Sequence, residues 1–216
     1  MLPLYEQYRP RVWSDLVGQD KARRQIEVLR CRSLVGRVFW ITARSGQGKT
    51  TLARLIAEDV ADEWSSSEID ASKLNVETLR QWERDCQIRP LGKGAYCFIV
   101  NEAHNLKAHI VEELQTVLEN SAVQKNSTWI FTTTLAGEKL LFDKRLSADA
   151  FLSRAVPIEL QHGPELELAF AIRAREIAKA EQLNGRPLED YVRLVRDKQC
   201  NLRAVLQAIE AGEMLA

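Results

Sequence analysis

The sequence predicts an α/β protein: a five-stranded parallel sheet covered by helices, followed by a small all-helical domain. Three observations carry this. Apolar, strand-like runs recur near 37–43, 67–71, 95–101, 128–134 and 155–160, and helical patterns fill 19–34, 49–63, 74–88, 107–120 and 138–152. Such alternation favours parallel strands with helices on both faces. Near 37–57 an apolar run passes through a glycine-bearing loop directly into a helix-forming run. Beyond Leu160 no strand pattern remains and helical spacing takes over.

The first strand and its loop are the most informative element. Arg37-Val38-Phe39-Trp40-Ile41-Thr42 leads into Ala43-Arg44-Ser45-Gly46-Gln47-Gly48-Lys49-Thr50-Thr51, and Leu52 to Ala57 leads out. Strand, loop and helix in this order form the context of a phosphate-binding loop. Its backbone N–H groups, from Ser45 to Thr51, line an anion-binding concavity, and the helix N-terminus adds positive potential. Lys49 is expected to reach the β- and γ-phosphates, and Thr50 to place its hydroxyl on Mg²⁺. The usual first glycine is replaced by Ala43. Alanine tolerates less of backbone space, so the loop must begin in an ordinary conformation.

The second informative strand, Tyr96 to Val100, ends in Asn101-Glu102-Ala103-His104. In phosphate-loop ATPases the corresponding strand presents a carboxylate toward Mg²⁺. Asn101 stands where that aspartate is expected, and Glu102 follows as the candidate that polarises the attacking water. An asparagine can still hydrogen-bond a metal-bound water, but it carries no charge. Both segments lie at the carboxyl ends of strands, where nucleotides bind in such sheets.

The helical part begins after the linker Gln161 to Pro164, with Pro164 at a first helical position. A helix is expected over Glu165 to Gln182, closed by a left-handed cap at Asn184-Gly185. Pro187 opens a second helix, and Asn201 caps a third that runs to about Glu213. The division is a core over 1–162 and a lid over 163–216, the lid being too small to be very stable undocked.

Composition narrows the options. The 216 residues carry 30 basic and 30 acidic side chains, so bulk charge does not favour tight nucleic-acid binding; local or repeated patches remain possible. Cys31, Cys86, Cys97 and Cys200 are widely spaced, without a C-x-x-C pair, and read as buried free thiols rather than zinc ligands. No run approaches a membrane span, and Met1 to Tyr5 has no secretory signature. Trp40, Phe98 and Trp129 fall on core strands and so are expected to pack there; Trp64 and Trp82 stay open between core and surface.

Taken in order, these segments resemble AAA+ ATPases of the clamp-loader group, the replication factor C small subunits and the bacterial clamp-loader ATPase subunit. The match runs from about Leu4 to Glu213. Leu4 to Pro10 and Trp13 to Gln19 resemble the adenine-site segment, which implies that Tyr8, Arg9, Val17 and Gly18 border the base. Glu68-Ile69-Asp70-Ala71-Ser72 resembles the second-strand signature. Trp129 to Thr134 resembles the strand that ends in a polar sensor, placed at Thr134 with Thr133 next. Leu152-Ser153-Arg154-Ala155 resembles the Ser-Arg-Cys motif, so Arg154 is implied as an arginine finger acting on a neighbouring subunit's nucleotide. Asn201-Leu202-Arg203-Ala204 resembles the second sensor, with Arg203 directed at the γ-phosphate. Leu141 to Arg145 falls in an unusually long stretch before Ser153 and is an expected added contact surface.

The resemblance implies a phosphate-loop AAA+ core with ATP and Mg²⁺ as cofactors, Thr50 and Asn101 toward the metal, and Glu102, Thr134, Arg154 and Arg203 in catalysis. It also implies an oligomer acting on primed or junction DNA, a sliding clamp or other replication proteins as partners, no membrane, and a cytoplasmic or nucleoid location. Family members continue into a helical collar where this sequence reaches Ala216, so assemblies lacking it are expected to be weak and dependent on nucleotide or a partner. Two rival readings remain: a nucleotide-gated scaffold with little hydrolysis, motivated by Asn101 and Ala43, and an AAA+ helicase loader, transposition regulator or branch-migration motor.

Overall fold

In the computed structural model, residues 2–134 and 153–215 are described. The expected helix over 138–152 and the Leu141 to Arg145 stretch lie outside them. Five strands, β1 (Val38–Thr42), β2 (Ser66–Asp70), β3 (Tyr96–Asn101), β4 (Ser127–Thr133) and β5 (Ala155–Glu159), form one sheet in the order β2-β3-β4-β1-β5. Every neighbouring pair is parallel. The five apolar runs read from sequence match these strands to within about two residues, the usual uncertainty of element ends.

Helices α1 (Leu4–Gln7), α2 (Asp20–Arg30), α3 (Lys49–Val60), α4 (Val76–Asp85), α5 (Ala108–Glu119) and α6 (Ser121–Asn126) precede or connect the strands. Strand side chains alternate between faces, so each face carries its own core. Trp40, Phe98, Val100, Trp129 and Phe131 face the layer containing Leu79 and Trp82 of α4 and Leu114 of α5. Phe39, Ile41, Ile99, Ile130 and Ile158 face Ile26 of α2 and Leu52, Leu55 and Ile56 of α3. Trp129 is packed by Phe98 at 4.7 Å and Trp82 at 5.6 Å between ring centroids, which settles Trp82 as core. Trp64 is exposed. Of the four cysteines, three are buried, but Cys31 is exposed, contrary to expectation, because it follows the last turn of α2 on the surface.

Three helices follow β5: α7 (Pro164–Ala180), α8 (Leu188–Asp197) and α9 (Leu202–Glu210). Pro164 occupies the first turn of α7, and the Asn201 carboxamide caps α9 by accepting from the Ala204 amide at 3.1 Å. The cap of α7 differs from the expected one. Gln182, at φ +60°, takes the left-handed position, and the Leu183 amide donates to the Ala178 carbonyl at 2.8 Å. The helix therefore closes before Asn184-Gly185 is reached. The lid core is not built from lid residues alone: Leu4 is buried in it, with Tyr5, Tyr8 and Val17 packed alongside. Tyr8 Oη donates to Glu181 Oε1 at 2.6 Å, and Gln7 Nε2 donates to the same oxygen at 3.0 Å. The N-terminal segment thus straps the lid to the sheet. Among the described residues no helix is long and apolar enough to cross a membrane.

Candidate nucleotide site

A cleft opens where the carboxyl end of β1 meets the lid. It is lined by the loop residues Ser45 to Thr51, by Tyr8, Arg9 and Val17 from the N-terminal segment, by Glu102, and by Phe170, Arg173 and Arg203 from the lid. Residues far apart in sequence are brought together because parallel strands end side by side on one edge. Gly18 lies behind this wall: a Cβ there would meet a Leu166 methyl at 2.5 Å, so glycine lets α7 approach the segment that carries Val17.

The loop itself is compact. Ala43 is buried and has no left-handed φ, so the chain begins the loop in an ordinary conformation as the alanine requires. Gly46 and Gly48 do adopt left-handed φ values, +73° and +98°. Gly48 caps α3, leaving the first amides of that helix directed at the cleft. The Gln47 carboxamide oxygen accepts from the Arg44 amide at 3.2 Å, while its buried Nε2 has no partner among the described residues.

Lys49 is 7% exposed, and among the described residues no carboxylate lies within ion-pair distance of it. Among the described residues its ammonium donates to the carbonyls of Ala43, at 3.4 Å, and Arg44, at 3.2 Å. Burial lowers its pKa from the ordinary lysine value, partly opposed by Glu102 and reinforced by Arg203. A buried cation without a counter-charge, beside an orphaned amide donor and a helix N-terminus, suits a polyphosphate.

At the end of β3 the Asn101 carboxamide is the hub of a network. Its oxygen accepts from Thr132 Oγ1 at 2.9 Å and from Thr50 Oγ1 at 3.3 Å. Its nitrogen donates to Glu68 Oε1 at 2.7 Å. Glu68 is in turn gripped by Arg54, through Nε at 2.7 Å and Nη2 at 3.2 Å. Thr50 and Arg54 lie one turn apart on α3, so one helix face serves both ends of the Asn101–Glu68 pair.

Glu102 takes a left-handed backbone, φ +54°, and lines the cleft with a part-exposed side chain. His104 Nδ1 lies 3.1 Å from Thr133 Oγ1 and 3.5 Å from Glu102 Oε2, linking strand β4 to the glutamate. Thr134 follows β4 directly, two positions beyond Thr132. Arg203 stacks over the Tyr5 ring at 5.5 Å while lining the cleft.

Arg154 is not brought to this cleft. It precedes β5 at the amino end of the sheet, where Ala155 is level with Val38, and it pairs with Glu119 of α5. It is exposed to whatever lies beside that edge. Sequence reasoning did not single out Thr132, Arg54 or Arg173, and it noted Glu68 only within a longer signature. Thr132 had a signal: it precedes Thr133 in a run of three threonines, and strand alternation puts it on the face of Asn101. Arg54 and Glu68 carried none, because their pairing joins α3 to β2.

No protein-family profile matches the chain. It is similar to the DNA polymerase III subunit gamma/tau of Mycoplasma pneumoniae, at 24% identity over 88% of this chain and 32% of that protein. The corresponding subunit of Mycoplasma genitalium is 23% identical over 90% of this chain and 38% of that protein. The chain therefore spans about a third of the length of these relatives. Among solved structures, a variant of Thermotoga maritima RuvB superposes with a TM-score of 0.68 at 17% identity, covering 94% of this chain and 64% of that one. A second RuvB variant gives 0.68 at 16% identity, covering 94% and 65%. The chain thus shares the fold of RuvB, a parallel α/β core followed by a helical lid, and the resemblance to the clamp-loader group read from the motifs agrees with the sequence relatives.

Proposed function

We propose that the chain is an ATP-binding and ATP-hydrolysing module of clamp-loader type, acting in DNA replication or repair through nucleotide-dependent contacts with subunits and DNA. One observation carries the reading: the buried Lys49, paired with no carboxylate among the described residues, at the mouth of a glycine loop, in a cleft that the lid helices border. ATP is the ligand this arrangement suits. Tyr8, Arg9, Val17 and Gly18 would border the base, and Ser45 to Thr51 would hold the phosphates through main-chain amides. Thr50 and Asn101 would hold Mg²⁺, which when bound neutralises charge on the β- and γ-phosphate oxygens.

Each catalytic assignment rests on position. Glu102 reaches the cleft from the end of β3 and would orient the attacking water, with His104 fixing its direction. Thr134 follows the end of the neighbouring strand β4 and would hold that water or a γ-oxygen. Arg203 would join the lid to the γ-phosphate; in doing so it leaves Tyr5, which couples nucleotide state to the N-terminal strap. Arg154, remote from this cleft, would complete a neighbour's site in an oligomer and contribute about 10³–10⁵ in rate there. Primed or junction DNA is the expected nucleic acid, with a sliding clamp as one partner. A second reading has a specific motive: Asn101 offers the metal no charge, so the module would act as a nucleotide-gated scaffold.

Lys49→Ala decides the site. Nucleotide binding should weaken at least a hundredfold; unchanged affinity would remove the assignment. Steady-state hydrolysis with and without primed DNA separates motor from scaffold, and solution mass under the same conditions reads the oligomer.

A further inference from the structure

We infer that Glu68 is a positioning residue for Asn101, fixing which end of its carboxamide faces the magnesium-nucleotide position and supplying nearby the negative charge that Asn101 lacks. The inference deepens the nucleotide-site reading above and rests on it. The orientation follows from hydrogen-bond chemistry. An ionised carboxylate only accepts, so the contact at 2.7 Å must be made by the Asn101 amide nitrogen. The amide oxygen is then left for the hydroxyls of Thr50 and Thr132, at 3.3 and 2.9 Å. A hydroxyl can donate or accept, so neither threonine could set this choice alone. Arg54 holds Glu68 by two nitrogens and is itself one turn from Thr50. Its pKa is raised, first by the hydrogen bond to Glu68, as expected for a guanidinium in a firm pair.

The arrangement explains why asparagine suits this position. The Glu68 carboxylate already occupies the far side of residue 101. An aspartate at 101 would set a second carboxylate against it at hydrogen-bonding distance with no proton between them, and like charges so close repel. Glu68 and Asn101 therefore form a matched pair, and each substitution should change the meaning of the other.

The test is a double-mutant cycle on the full chain, reading the Mg²⁺ concentration that half-saturates binding of a fluorescent, non-hydrolysable ATP analogue. In the parent background Glu68→Gln lets either end of the Asn101 amide turn inward and removes the charge, so the half-saturating Mg²⁺ should rise about tenfold. In the Asn101→Asp background the same substitution relieves repulsion, so the half-saturating Mg²⁺ should fall. Opposite signs support the inference. The same sign in both backgrounds, or no effect in either, with analogue binding intact, would overturn it while leaving the nucleotide site standing. Absence of saturable analogue binding by the parent would overturn both. If Glu68→Gln does not fold, Glu68→Asp, one methylene shorter, should loosen the orientation while keeping the charge and so give a smaller rise in the parent; no rise would overturn the inference.

Discussion

The amide of Leu202, at the head of lid helix α9, donates to the carbonyl of Gly46 in the glycine loop at 3.2 Å. The preceding Asn201 carboxamide oxygen lies 1.8 Å from where a Gly46 Cβ would be. Lid and loop therefore touch main chain to main chain, so a ligand that reshapes the loop must also act on α9.

This contact predicts that Gly46→Ala is damaging for two reasons, its left-handed φ and the collision with Asn201. The expected cost is about 1–3 kcal/mol of stability, with weakened nucleotide binding. Asn201→Ala should relieve the collision but not the backbone strain, so the double variant should be less destabilised than the sum of the singles. Chemical denaturation of the four proteins measures the coupling; strict additivity would show that the two residues do not meet.

Lys49 should be a liability in the free protein. Without nucleotide, Lys49→Ala is expected to raise the melting temperature by roughly 2–4 °C, equivalent to about 1 kcal/mol. The lowered lysine pKa sets the pH trend. Below 10.5 the unfolded chain holds this proton more firmly than the folded one, so parental stability rises as pH climbs from the lowered folded pKa toward that value. The variant's advantage should shrink over the same range. Melting curves across neutral to alkaline pH check both claims.

Thr132 and Thr134 should fail differently. Thr132→Val removes one of the two hydroxyls on the Asn101 oxygen, so a Mg²⁺-dependent loss of nucleotide binding is expected. Thr134→Val should leave binding within about twofold and lower turnover about tenfold, near 1.4 kcal/mol of barrier. Single-turnover hydrolysis alongside binding separates the two; identical profiles would refute the division of roles.

Leu4 should report on the strap. Leu4→Ala opens a cavity in the lid core and is expected to cost about 2–4 kcal/mol there. Hydrogen exchange should quicken in α7 to α9 while the sheet amides of β3 and β4 stay protected. Uniform loosening of both parts would show that the strap belongs to the whole fold.

Several of these relationships were open to reading from sequence, and others were not. The glycine loop between β1 and α3 was legible because every part of it is local: apolar strand, glycines, lysine, helix. The five strands were legible for the same reason, since apolar runs bounded by polar turns announce themselves along the chain. Cys31 and the cap of α7 were misjudged because each depends on where a helix stops, and Gln182 reached the left-handed position before the more permissive Asn184-Gly185 could.

By itself, then, the sequence determined the parallel α/β class, the glycine loop with Lys49 and Thr50, the Asn101-Glu102 strand end and the all-helical lid. Only the tertiary structure decided that Leu4 belongs to the lid core, that Arg154 stands apart from the cleft, and that Thr132 and Glu68 share Asn101. The physical reason is the reach of the signal. Propensity, periodicity and loop chemistry act over a few neighbours, whereas Glu68 meets Asn101 across 33 residues because β2 and β3 lie side by side. That adjacency exists only once the sheet has formed.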